Sequence, residues 1–167
     1  MSPSLPAGMR RAARLAALAT VALMRLSLAA QELPFVHLSP DDSRTPLPSA
    51  SVQRLVQDSL GYIWIGFYSS GLSRYDGQKL TTYGLQDGLA DLTVRTIVED
   101  HFGRLWIGSE TGIVASEKPL AAYEPGARVR FTPILGQVAL PQLRMKANAI
   151  VADAKGRVWI GTPGDGI

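Results

Sequence analysis

Asp58-Ser-Leu-Gly61-Tyr-Ile-Trp64-Ile-Gly66 is a phrase that the chain writes three times. It returns as Asp100-His-Phe-Gly103-Arg-Leu-Trp106-Ile-Gly108 and as Asp153-Ala-Lys-Gly156-Arg-Val-Trp159-Ile-Gly161. The three tryptophans of the chain all occupy the same place in it. Their spacing is 42 positions from Trp64 to Trp106 and 53 from Trp106 to Trp159. A repeat of about 40–50 residues matches one four-stranded propeller blade. The expected fold class is therefore all-β: about two and a half four-stranded antiparallel blades of an incomplete β-propeller.

Each residue of the phrase has a structural role. Asp58, Asp100 and Asp153 suit the first position of a type I turn, and Gly61, Gly103 and Gly156 suit its fourth. Trp64, Trp106 and Trp159 are large flat side chains to bury between blades, where truncation costs about 3–5 kcal/mol. Gly66, Gly108 and Gly161 let the backbone pass close to the next blade. Core and turn chemistry thus accounts for the whole phrase.

Around it, the first unit spans residues 51–91. Strands are expected at Val52–Gln57, Tyr62–Gly66, Leu72–Tyr75 and Lys79–Tyr83, with Asp76-Gly77 as a hairpin signal. The second unit, residues 92–146, repeats the order at Val94–Val98, Arg104–Gly108 and Ile113–Ser116. It then departs. Its 11 extra residues fall between Glu117 and Lys146, among Pro119, Pro125, Pro133 and Pro141, and its fourth strand is expected at Arg128–Phe131. Such insertions go to loops on one face, often a binding face, and are as often neutral drift in a surface loop. The third unit, residues 147–167, starts a strand at Ala149–Ala152 and stops half made. Since a closed propeller takes about 4–8 blades, the chain is expected to be the front of a longer protein or the product of a truncated gene.

Before the repeats, residues 1–30 carry Arg10, Arg11, Arg14 and Arg25 and no acid. A ten-residue apolar run from Leu15 to Met24 precedes Ser27-Leu28-Ala29-Ala30. A basic n-region, a short h-region and small residues at the end read as a signal peptide, cut after Ala29 or Ala30. Export to the periplasm is the expectation. Residues 31–50, with Pro34, Pro40, Pro46 and Pro48, form a Pro/Ser-rich lead-in. Phe35–Leu38 is the stretch of it that could pair as a strand.

The pI near 9.4 belongs to the leader. Of 17 basic residues, all but the leader's four lie in the body, where 13 bases meet 14 acids. A nucleic-acid surface needs a basic patch on the folded body, so no nucleic-acid partner is expected. With no cysteine, disulfides and thiolate metal sites are excluded. Paired carboxylates, phosphate loops and metal-ligand clusters are missing too. Hence no catalytic residue, no metal and no cofactor is assigned. Of the two histidines, His37 lies in the lead-in. His101 stands where the other units have Ser59 and Ala154, and reads as a solvated turn residue.

Two longer strings carry a resemblance: Val56-Gln-Asp-Ser-Leu-Gly-Tyr-Ile-Trp-Ile-Gly66 with Gly71-Leu-Ser-Arg-Tyr-Asp-Gly77, and Asp87-Gly-Leu89 with Val94 through Gly108. From Ser51 to Ile167 the chain resembles the two-component regulator propeller repeat family. The second unit lacks Tyr-Asp-Gly and departs from the pattern there. The resemblance implies a large extracytoplasmic propeller that continues into a membrane helix and a cytoplasmic output, a histidine kinase or diguanylate cyclase. It implies sensing of an extracytoplasmic ligand, a carbohydrate fragment among the candidates. The remaining blades of the receptor, and a second copy in a homodimer, would be its partners. No ligand-contacting residue is named, because the channel mouth is shared by several blades. Two alternatives stay open: an exported propeller enzyme of the streptogramin-lyase kind, and a protein-interaction scaffold. The sialidase Asp-box has a turn one residue shorter, and the Trp-Asp pair of WD40 blades is missing.

Overall fold

The computed structural model describes residues 37–134 and 146–163. The expected leader and the segment 135–145 fall outside these residues. Strands β1 (Val52–Gln57), β2 (Ile63–Phe67), β3 (Leu72–Tyr75) and β4 (Leu80–Tyr83) form one antiparallel sheet in chain order. Strands β5 (Val94–Glu99), β6 (Leu105–Ser109), β7 (Ile113–Ser116) and β8 (Phe131–Pro133) form a second. Strands β9 (Ala149–Ala152) and β10 (Val158–Gly161) pair as the start of a third. The result is an open, partial β-propeller.

Register repeats from blade to blade. Val56 faces Trp64 across β1 and β2, Val98 faces Trp106, and Val151 faces Trp159. Because side chains alternate across a sheet, each strand splits into residues facing the blade before and the blade after. Ile97 and Ile107 point back at blade 1 and join Trp64, Leu72, Tyr83 and Val94 in one core. Trp106 and Val98 point forward and pack with Ala147, Ile150 and Ile160 of the third unit. Trp64 is fully buried, its ring centroid 5.5 Å from that of Tyr83 and 6.4 Å from that of Phe131. This is the aromatic centre of the interface between the two complete blades.

Close approach explains the glycine after the first two Trp-Ile pairs, while a Cβ on Gly161 would meet Ala149 at an ordinary 3.6 Å. A Cβ built on Gly66 would lie 2.5 Å from Val94 Cγ1, and one on Gly108 would lie 2.9 Å from Ala147 Cβ. Val94 and Ala147 belong to the first strand, or the approach to it, of the next blade, and Gly108 is also pressed from its own blade by Thr96 Cγ2 at 2.6 Å.

The sequence reading needs correction in two places. The fourth strand of blade 2 is Phe131–Pro133, not Arg128–Phe131. Strand β7 ends at Ser116, which pairs with Phe131, and past that pair the strands keep one bond, from the Glu117 amide to the Arg130 carbonyl. Ser116 Oγ instead accepts the Leu105 amide and donates to the Lys118 carbonyl, and the chain leaves the sheet. Pro133 is tolerated because β8 is the edge strand. In the lead-in, His37 and Leu38 are not in a strand, while Phe35 and Val36 lie outside the described residues. Leu38 and Leu47 pack instead on Ile65 and Phe67, covering the backward face of blade 1. The Asp42 carboxylate accepts the amides of Arg44 and Thr45 and shapes that turn.

Candidate functional site

The repeated phrase builds the same constellation three times. Asp58 Oδ1 accepts the amides of Leu60 (3.0 Å) and Tyr62 (2.9 Å), and its Oδ2 accepts the Trp64 indole N–H at 2.7 Å. Asp100 does the same with Phe102, Arg104 and Trp106, the last at 2.7 Å. Asp153 does so with Lys155, Arg157 and Trp159, the last at 3.1 Å. The indole bond holds the Asp153 carboxyl well below the usual carboxylate range, helped by Arg157. Gly61, Gly103 and Gly156 all have positive φ, at 91°, 76° and 79°, which lets the turn close without strain. The sequence assigned Asp to the turn and Trp to the core but missed the bond between them. The constant six-residue separation was its signal.

In each copy the aspartate is saturated by its own turn and indole, so the constellation is scaffold rather than chemistry. His101 is exposed, with the Phe102 ring 5.7 Å away, and His37 is exposed as well. Among the described residues no cluster of three or more His, Asp or Glu is placed to hold a metal.

Two arginines that the sequence did not single out fasten blade 1 to the blade 2 excursion. Arg128 grips the buried Asp87 with both prongs, Nε to Oδ1 at 3.0 Å and Nη2 to Oδ2 at 2.7 Å. It also donates to the Thr82 carbonyl and lies over the Tyr83 ring. Burial works to raise the Asp87 carboxyl, but Arg128 and the Gly84 amide outweigh it and hold it below its ordinary value. Arg74, on β3, is 8% exposed, donates to the Ala127 carbonyl at 3.2 Å, and stacks 4.7 Å above the Tyr62 ring.

Arg74 lines a pocket of about 640 Å³ between blade 1 and the excursion. Tyr62 and Trp64 form one side, and the short 3-10 helix Leu120–Ala122 with Tyr123 and Glu124 forms the other. The pocket lies at the end of the sheet that carries the β1–β2 turn, whose Asp58 and Leu60 also line it.

Comparison with known proteins follows the repeats. The family model described as "Two component regulator propeller" matches residues 46–69, 88–111 and 141–164. These segments are two-component regulator propeller repeats. The extracellular domain of the hybrid two component system BT3049 from B. thetaiotaomicron superposes with a TM-score of 0.56 at 20% identity. That match covers 80% of this chain and 17% of the domain. The extracellular domain of the hybrid two component system BT4673 from the same organism gives 0.56 at 21% identity, over 78% of this chain and 18% of its own. A second structure of the BT4673 domain gives 0.57 at 19% identity, over 83% and 19%. At this identity the likeness establishes the propeller fold. The chain spans less than a fifth of the length of these structures. No curated protein matches it. Among the described residues no helix is long and apolar enough to cross a membrane.

Proposed function

We propose that the chain is the N-terminal part of a periplasmic sensor propeller of a two-component receptor. It would bind a ligand outside the cytoplasm, a carbohydrate fragment being the class favoured, and pass the signal to a cytoplasmic kinase or cyclase. The observation that carries this reading is the threefold regulator propeller repeat, joined to a leader with the composition of a signal peptide. Further blades of the receptor, and a second receptor copy, are the proposed partners. The structural neighbours are themselves extracellular domains, which supports export.

The test is a fusion of residues 1–167 to a β-lactamase stripped of its own leader. Ampicillin resistance that disappears when residues 1–30 are deleted is the expected result. Enzyme confined to the cytoplasm with and without residues 1–30 would overturn the export half. Reading the gene beyond the Ile167 codon tests the rest. More Trp-Ile-Gly repeats followed by a membrane helix and kinase or cyclase motifs are expected, and a stop at that point would contradict the receptor reading.

A further inference from the structure

The pocket beside Arg74 lies where the two complete blades differ from each other. At the register position opposite Trp64 blade 1 carries Arg74, while the matching position opposite Trp106 in blade 2 is Ala115, fully buried. The blade therefore folds without a guanidinium there. The wall facing Arg74 is the blade 2 excursion, for which blade 1 has only the Asp76–Lys79 turn. The excursion is the part that the repeat does not require, and such parts are where function is expected.

The chemistry of the pocket is that of an anion receptor with an apolar wall. Arginine is almost never fully buried unless paired, yet no carboxylate hydrogen-bonds Arg74 among the described residues. Among the described residues its side chain donates to the Ala127 carbonyl and lies over the faces of Tyr62 and Trp64. A guanidinium has five N–H donors, so most are left over. The nearby Asp58 is engaged through both oxygens with its own turn and with Trp64. Glu124 lines the pocket but makes no hydrogen bond or ion pair with Arg74. A second cation stands close by, Lys118 Nζ lying 4.6 Å over the Tyr123 ring.

We propose that this pocket binds a small organic carboxylate with a ring or aliphatic body. The carboxylate takes the two-pronged bond that guanidinium geometry favours, and the body lies between Tyr62 and Tyr123 against Leu120. Glu124 opposes the anion and limits its affinity. The site stands apart from the sensor reading, since it needs only the two blades present here.

The probe is benzoate, with neutral benzamide as its matched control, titrated into the full 167-residue chain and followed by tryptophan fluorescence and by calorimetry. Saturable one-to-one binding of benzoate is expected, with benzamide at least about tenfold weaker. Arg74→Gln should weaken benzoate about tenfold or more, and Glu124→Gln should tighten it a few-fold. Tyr123→Ala, on the half-exposed wall, should weaken it several-fold even if the Arg74 variant fails to fold. Equal binding of the two probes, no binding of benzoate, or affinity unmoved by Tyr123→Ala and Glu124→Gln would each overturn the proposal.

Discussion

The blade 1–blade 2 interface and the outer side of the third unit are made from the same nine-residue phrase, yet they differ in almost every physical respect. Trp64 is fully buried and Trp159 is 47% exposed, although both donate the same indole bond to the same turn aspartate. The turn is thus a local object that each phrase makes by itself. The core is not: it exists only where a neighbouring blade supplies Ile97, Ile107 and Phe131 around an indole that Tyr83 of its own blade flanks. The backward-facing position tells the same story. Ile97 and Ile150 are buried against the blade before them, while Leu55, their equivalent in blade 1, is 64% exposed.

This contrast can be broken most sharply at the tryptophans. Trp64→Ala should lower unfolding free energy by about 3–5 kcal/mol, as for a buried aromatic, and Trp159→Ala by about 1 kcal/mol or less. Urea titration of the two variants measures the gap, and equal losses would refute the account. Gly66→Ala comes next, because its Cβ would collide with Val94; overpacking costs about 1–3 kcal/mol. Gly161→Ala, whose Cβ would meet Ala149 at an ordinary 3.6 Å, should stay within about 0.5 kcal/mol.

Arg128→Ala is a smaller perturbation on the complete side of the molecule. It leaves the Asp87 carboxylate buried and short of two charged hydrogen bonds, worth about 1–3 kcal/mol, with the half-exposed arginine pointing to the lower end. The same clasp gives a pH dependence. Asp87 is depressed in the folded chain, so its contribution is complete above the unfolded-state carboxylate value near pH ~4. It is withdrawn as the pH falls through the lower folded-state value. Arg128→Ala should therefore flatten the acid limb of a stability–pH curve, and an unchanged limb would show that the clasp carries no weight. His101→Ala, at an exposed turn position, should shift the urea midpoint least of all, within about 0.5 kcal/mol.

Nearly all of the sheet architecture was legible in the sequence. Alternation, turn residues and the recurring phrase act over a few residues, and they place β1 through β7 and β9 within a residue or two of where they lie. The fourth strand of blade 2 was not legible. Its position depends on where β7 stops, and β7 stops because the Ser116 hydroxyl satisfies the Leu105 amide that a neighbour would otherwise meet. Long-range polar pairs were equally hidden. Asp87 and Arg128 are 41 residues apart, and Arg74 finds the Ala127 carbonyl across 53. In sequence Asp87 and Arg74 are each one letter of a string that carries the resemblance, and neither letter names its partner. Only the fold brings them against the excursion that gives them partners.

Acrylamide quenching of tryptophan fluorescence, in the full chain and in its three single Trp→Phe variants, tests the central claim most directly. The account predicts that Trp159→Phe removes the most accessible emission and Trp64→Phe the least accessible, with Trp106→Phe between them. Three equally shielded indoles would mean that the phrase buries its own tryptophan, and that neighbouring blades do not make the core.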